Sequence, residues 1–182
     1  RDRACEALRT RYPSWEQVLE APTEDVIEII RPAGLANQKS PRIQAVLREI
    51  AREAGELSLD YLRNLPADEV QKTLLAFKGV GPKTAAIVML FSLDLPAFPV
   101  DTHVHRVTGR LGLRPEKMSA DAAHAYLAQC FPPDSYQEVH LNLIRHGREI
   151  CHARKPACPE CFLRDLCEYY SHEPPANEAG AG

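Results

Sequence analysis

The sequence predicts an all-helical protein, and three features carry this prediction. Residues that cap helices recur along the chain, apolar residues follow them at spacings of three and four, and no stretch alternates polar and apolar residues long enough to form a strand. The 182 residues, of which 45% are hydrophobic, can build one large domain or two small ones around a buried core. No segment approaches the roughly 20 apolar residues that cross a bilayer, so we expect no membrane association.

The first half of the chain contains several predicted helix starts. Ser14 and Gln17 have the spacing of a capping box, and Thr23 begins the next helix directly after a proline. Ser40 followed by Pro41 predicts a third start, with serine as the N-cap and proline at the first helical position.

The second half continues in the same way. The segment 68–77 forms a helix, and 82–93 is so apolar that we expect a central, buried helix. Asp101 and Ser119 cap two further helices, because aspartate and serine side chains accept hydrogen bonds from the first free backbone N–H groups. A long amphipathic helix at 136–150 follows.

Four of the six cysteines lie together near the C-terminus at a spacing of C-x6-C-x2-C-x5-C, namely Cys151, Cys158, Cys161 and Cys167. Four thiolates in one short stretch can enclose an iron–sulfur cluster and indicate a reducing compartment. Zinc is the alternative occupant, although zinc sites usually contain two C-x2-C pairs and this segment contains one. The remaining Cys5 and Cys130 lie among apolar neighbours, and we expect them to be buried free thiols.

A glycine turn precedes the apolar helix, with the sequence Lys78-Gly79-Val80-Gly81. Two helices joined by such a turn form a helix–hairpin–helix unit, whose backbone N–H groups can point at a phosphate. The net charge of −3 means that any nucleic acid must be bound through local basic patches and backbone amides. A tight turn without a ligand is the alternative for a G-x-G pattern, but the flanking lysines favour DNA binding.

Lys83 and Asp101 are the candidate reactive pair. Lys83 lies in the first turn of the apolar helix, where the helix dipole and partial burial favour the neutral amine that attacks carbon. A solvated lysine that contacts phosphate, and an aspartate that only caps a helix, are the simpler interpretations. His103 and His105 are two residues apart and do not share a helix face, so we expect no metal site from that pair.

Taken together, these residues resemble the endonuclease III family of base excision repair glycosylases. The runs that carry the resemblance are 79–85, 99–104, 106–107, 110–111, 146–148 and the four cysteines. It covers roughly residues 1–170. It implies an all-α helix–hairpin–helix DNA glycosylase fold with a C-terminal iron–sulfur cluster loop. The implied domains are a helical barrel at 1–132, a cluster domain at 133–170 and a disordered tail at 171–182.

The resemblance also implies a reaction. Lys83 is the implied nucleophile that forms a Schiff base, Asp101 stabilises the developing cation, and the cysteines hold a [4Fe–4S] cluster. The expected substrate is double-stranded DNA with an oxidised pyrimidine or an abasic site, cleaved by β-elimination. Mismatch glycosylases of the superfamily lack the lysine, and 8-oxoguanine glycosylases generally lack the cysteine loop. We expect a monomer, in the cytoplasm (nucleoid) if the source is bacterial or archaeal.

The expected DNA contacts are Lys78, Gly79, Val80, Gly81, Arg148, Arg154 and Lys155. The sequence departs from the family in Phe77-Lys78, where leucine and proline are usual, and in the absence of the family's first helices with their gap-filling glutamine. Gln17 and Gln38 lie downstream of that segment. Two alternatives therefore stay open: a non-catalytic helix–hairpin–helix DNA-binding module with a structural metal cluster, and an iron–sulfur protein for which DNA is incidental.

Overall fold

The computed structural model describes residues 2–172, and helices are the only regular secondary structure in that range. The chain divides into two compact units, residues 1–80 and residues 81–182. No helix in the described part of the chain is long and apolar enough to cross a membrane. The prediction of an all-helical fold is confirmed.

The first unit contains five α-helices and two short 3₁₀ helices, at Arg31–Ala33 and Asp60–Asn64. The α-helices are α1 (Asp2–Arg11), α2 (Trp15–Glu20), α3 (Thr23–Ile30), α4 (Ala36–Ala54) and α5 (Ala67–Ala76). Helix α3 packs against α1 and α4. The core buries mainly aliphatic side chains, including Leu8, Val18, Val26, Ile30 and Leu47.

Helix α4 begins earlier than the sequence indicates. It starts at Ala36, and its N-cap Leu35 has the left-handed conformation with φ 56° and ψ 31°. Pro41 therefore lies inside the helix, and Ser40 is a fully buried helical residue rather than a cap. The carbonyl of Leu35 accepts hydrogen bonds from the backbone N–H groups of Gln38 and Lys39, which closes the first turn without a serine cap. The predicted start at Ser40 is thus wrong.

Up to residue 172, the second unit contains five further α-helices: α6 (Pro82–Ser92), α7 (Thr102–Arg110), α8 (Ala120–Ala128), α9 (Tyr136–Glu149) and α10 (Glu168–His172). Short 3₁₀ helices lie at Pro133–Ser135, Cys158–Glu160 and Arg164–Leu166. Helix α9 packs along α7 and also contacts α6. The core gathers Phe98, Val100, Val104, Leu127 and Tyr136, and the ring of Phe98 stacks on Phe131.

Three of the predicted helix caps are confirmed. Ser14, Asp101 and Ser119 each accept a hydrogen bond from the N–H group three residues later, at 3.4, 2.8 and 3.2 Å. The apolar helix α6 buries Met89 and Leu90, whereas Phe91 on it is 40% exposed.

Two other expectations meet a different outcome. Cys5 and Cys130 are exposed rather than buried, because Ala4 and Leu8 form the buried side of α1 and Cys130 lies in the turn after α8. Ser171 and His172, which the sequence assigns to the tail, end helix α10, and residues 173–182 lie outside the described part of the chain. The domain boundary at 132/133 stays a prediction; the compact units divide instead at 80/81.

Candidate active site and metal centre

Lys83 lies in the first turn of α6, one residue after Pro82. Its side chain is exposed, so the expectation of partial burial is wrong for this lysine. The apolar side of α6 faces the core through Ala85, Ala86 and Met89, which leaves Lys83 on the solvent side. An exposed amine at a helix N-terminus is accessible to a large substrate.

Asp101 is half-buried at the N-terminus of α7. Its Oδ1 atom accepts the backbone N–H of Val104 at 2.8 Å, while the residue itself is extended with φ −99° and ψ −177°. One carboxylate oxygen thus caps the helix. The carboxylate therefore accepts the hydrogen bond that caps α7, and it lies at the helix N-terminus, where the helix dipole favours a negative charge.

A buried imidazole connects the two candidates. His140 of α9 is 3% exposed, and burial lowers its pKa. The Asp101 carboxylate raises and the Lys83 ammonium lowers the pKa of this same histidine. The charges of both candidate residues therefore influence the protonation of one buried ring in the second unit.

The glycine turn contains one residue with a positive φ angle, which glycine adopts more readily than other residues. Gly79 has φ 95°, whereas Gly81 is extended and forms the N-cap of α6. The N–H of Lys78 donates to Glu49 and that of Val80 to the carbonyl of Phe77. Within residues 2–172, the N–H groups of Gly79 and Gly81 have no protein acceptor. These two amides are therefore free to bind a phosphate.

Arg42 of α4 lies against this turn. A Cβ atom added to Gly79 would be 3.5 Å from Cδ of Arg42, so the arginine stem runs beside the glycine. Arg42 is exposed and forms no ion pair in the described part of the first unit. The sequence analysis missed this cation because it lies more than thirty residues before the turn.

Cys151, Cys158, Cys161 and Cys167 line one small cavity. Burial raises the pKa of the Cys158 thiol, and the other three cysteines raise it further. No three His, Cys, Asp or Glu side chains among residues 2–172 converge on a point that could hold one metal ion. Four thiols around one cavity are the type of ligand set that holds an iron–sulfur cluster.

Two arginines of α7 attach the cysteine loop to the helices. Arg106 donates to the carbonyls of Gly147 and Cys151, at 2.8 and 3.0 Å. Arg110 donates to Sγ of Cys151 at 3.2 Å and to the carbonyls of His152 and Ala153. Sequence reasoning included both arginines in the resembling runs but assigned them no role. Their partners lie more than forty residues away, so only the tertiary structure reveals them.

The predicted basic residues of this region are all on the surface. Arg148 is exposed near the end of α9, and Arg154 and Lys155 are exposed in the loop between the first two cysteines. Lys155 has φ 51°, which turns the loop sharply at that residue. Nδ1 of His103 and Nδ1 of His105 each lie 3.1 Å from an arginine, Arg106 and Arg114 respectively, and Nε2 of His105 lies 2.8 Å from the carbonyl oxygen of Met118.

Comparison with known proteins identifies the family. The family described as "HhH-GPD superfamily base excision DNA repair protein" matches residues 2–133, and the "iron-sulfur binding domain of endonuclease III" matches residues 151–167. Endonuclease III of Thermotoga maritima is 32% identical over 169 residues, which cover 93% of this chain and 75% of that protein. The chain belongs to the endonuclease III family.

Two further family members are informative. A solved structure described as a trapped Endonuclease III–DNA covalent intermediate matches with a TM-score of 0.78 and 30% identity, over 93% of this chain and 75% of the other. An Arabidopsis thaliana relative is 35% identical over 153 residues, or 84% of this chain, but the chain spans only 52% of that relative's length. The family match confirms the helix–hairpin–helix glycosylase fold and the iron–sulfur binding cysteines.

Proposed function

We propose that this chain is a bifunctional DNA glycosylase and AP lyase that removes oxidised pyrimidines from double-stranded DNA. The damaged nucleotide is turned out of the base stack, because an intact duplex hides C1′ from a protein side chain. Nζ of Lys83 attacks C1′, the bond from C1′ to the base breaks, and the base leaves with its electrons and is protonated. Opening of the sugar ring yields a Schiff base between Lys83 and C1′.

The Schiff base then supports strand cleavage. It withdraws electrons from C1′, so a proton is lost from C2′ and the 3′ phosphate is expelled by β-elimination. Asp101 contributes a fixed negative charge beside C1′, where positive charge grows in the transition state. Hydrolysis releases the cleaved sugar from Lys83.

The observation that carries the proposal is the exposed lysine in the first turn of α6 and the half-buried carboxylate at the start of α7, in a chain of the endonuclease III family. The trapped covalent complex of a 30% identical relative supports the same chemistry. A lysine is the group that forms Schiff bases with a carbonyl-like carbon.

The iron–sulfur centre has a structural role in the proposal. We assign the four cysteines to a [4Fe–4S] cluster, whose bonds to the thiolates would fix the loop. Arg106 and Arg110 hold that loop to α7, and the loop presents Arg154 and Lys155 to solvent.

Arg154 and Lys155, with Arg148 and Lys78, bind DNA phosphates, so the affinity for DNA falls as the salt concentration rises. The amides of Gly79 and Gly81 position the strand without reading its sequence. The protein acts as a monomer.

Borohydride trapping tests the reaction, because reduction of the Schiff base leaves the protein covalently bound to DNA. We expect an adduct on DNA with thymine glycol and on DNA with an abasic site. Lys83→Gln removes the amine and should abolish both adducts while DNA binding survives. Lys117→Gln is the matched control, because Lys117 is also an exposed lysine of the second unit.

Each outcome is decisive for a different part of the proposal. An adduct that persists in Lys83→Gln contradicts the assignment of the nucleophile. An adduct on the abasic site alone supports the lyase and contradicts the proposed base. No adduct on either DNA, with binding intact, would make the chain a non-catalytic helix–hairpin–helix DNA-binding module with a structural metal cluster.

A further inference from the structure

Two histidines contact consecutive carbonyls of the segment that leads to Asp101. Nδ1 of His124, on α8, lies 3.0 Å from the carbonyl oxygen of Phe98. Nδ1 of His140, on α9, lies 2.9 Å from the carbonyl oxygen of Pro99. Two different helices therefore hold one short stretch of chain just ahead of the candidate carboxylate.

This stretch needs such partners because it has no regular structure. Residues 94–101 form neither helix nor strand between α6, which carries Lys83, and α7, which begins after Asp101. The side chains of Phe98 and Val100 are 2% exposed, so the surrounding core is dry. A carbonyl in a dry environment without a donor costs free energy, and the two imidazoles supply the donors.

The tautomer of each ring follows from its partner. Burial lowers the pKa of both histidines, which favours the neutral ring with a single N–H. A carbonyl oxygen can only accept, so the proton is on Nδ1 in each ring and Nε2 is bare. A tilted contact between His140 and the ring of Phe91, with centroids 5.8 Å apart, further restricts the orientation of that imidazole.

We propose that His124 and His140 are positioning residues for the reaction, which hold the carbonyls of Phe98 and Pro99 and thereby fix the Asp101 carboxylate relative to Lys83. This inference rests on the proposed function of that pair. The neutral state of His140 supports the role of the Asp101 carboxylate, in addition to the hydrogen bond that the ring donates. A charged imidazole would pair with the carboxylate and reduce its attraction for the cation that develops at C1′.

The two roles of a histidine, donor at Nδ1 and donor at Nε2, can be imitated separately. The amide nitrogen of asparagine takes the place of Nδ1, whereas that of glutamine takes the place of Nε2. We therefore compare His140→Asn with His140→Gln in the cluster-loaded full chain, under single-turnover cleavage of abasic-site DNA. The dissociation constant is measured in parallel on DNA with a tetrahydrofuran abasic analogue.

We expect His140→Asn to keep the cleavage rate within about threefold of the unsubstituted protein. We expect His140→Gln to slow it by between about ten- and a hundredfold, because a small misplacement of a catalytic group has an effect of that size. The dissociation constant should change by less than about twofold in both, since neither ring touches the exposed surface that binds DNA. Equal rates for the two variants, or a loss of binding that matches the loss of rate, would overturn the inference.

A second measurement does not depend on activity. NMR of protein with ¹⁵N-labelled histidine reports which ring nitrogen carries the proton. We expect His124 and His140 to be neutral with the proton on Nδ1, and His124→Gln, at a half-buried position, to remove one of these signals while the fold persists. A proton on Nε2 in both rings contradicts the proposed hydrogen bonds even if the protein is inactive. Inactivity of the unsubstituted protein with the Nδ1 signals present contradicts the proposed function and not the hydrogen bonds.

Discussion

Substitution of Asp101 should separate its structural role from its chemical role. Asparagine keeps an oxygen that can accept the N–H of Val104, which now lies 2.8 Å from Oδ1, but it removes the charge. Alanine removes both. We therefore expect Asp101→Asn and Asp101→Ala to lose the strand-cleavage rate similarly, by about a hundredfold or more, and to differ in stability.

The size of the stability difference follows from the cap. Loss of an N-cap side chain costs about 1 kcal/mol, and the short bond of a half-buried carboxylate favours a value of about 1–2 kcal/mol for Asp101→Ala. Asp101→Asn loses only the attraction between the charge and the helix dipole, about 0.3–1 kcal/mol. In a chain of this size 1 kcal/mol corresponds to about 2–4 °C in Tm.

Ser119 provides the matched control. It caps α8 in the same unit by accepting the N–H of Ala122 at 3.2 Å, and it is exposed. Ser119→Ala should lower the Tm measured by circular dichroism, by somewhat less than Asp101→Ala, and leave borohydride trapping unchanged. Equal melting temperatures for the Asn and Ala variants of Asp101 would refute the capping argument, and unchanged trapping in Asp101→Ala would refute the chemical one.

Three further predictions concern binding, strain and the metal centre. Arg42→Gln should weaken binding to every DNA sequence alike and reduce the slope of log affinity against log salt by about one, measured by fluorescence anisotropy; an unchanged slope excludes a phosphate contact. Leu35→Gly should raise the free energy of unfolding by about 1 kcal/mol in a denaturant titration, because φ of 56° is unfavourable for leucine, and a decrease contradicts this reason. Arg110→Lys keeps the charge but cannot reach Sγ of Cys151 and two carbonyls together, so the purified variant should hold less iron per chain. Iron content equal to that of the unsubstituted protein would show that these bonds are dispensable.

Local features of the fold were predictable from the sequence because their partners are near in the chain. A capping side chain binds an N–H three residues away, so Ser14, Asp101 and Ser119 could be identified without a tertiary structure. The cysteine spacing was equally informative, since a cluster loop is a short segment. The start of α4 was not predictable, because the serine–proline signal at Ser40 competes with a turn closed by the carbonyl of Leu35.

Burial was predicted less well than helix position. Cys5 and Cys130 have apolar neighbours in sequence but are exposed, Cys5 on α1 and Cys130 in the turn after α8. Lys83 is exposed although its helix is strongly apolar. A periodic sequence pattern predicts which residues share one face of a helix. It does not predict which part of that face is buried by another helix.

The sequence by itself determined the helical class, the glycine turn and the four thiols, because each depends on residue type and short spacing. Only the tertiary structure revealed that His140 lies under the influence of both Lys83 and Asp101, and that its ring holds the carbonyl of Pro99. The same holds for Arg110, which reaches Cys151 across forty-one residues. The physical reason is that hydrogen bonds and charge interactions act over a few ångströms in space, and chain folding alone decides which distant residues come that close.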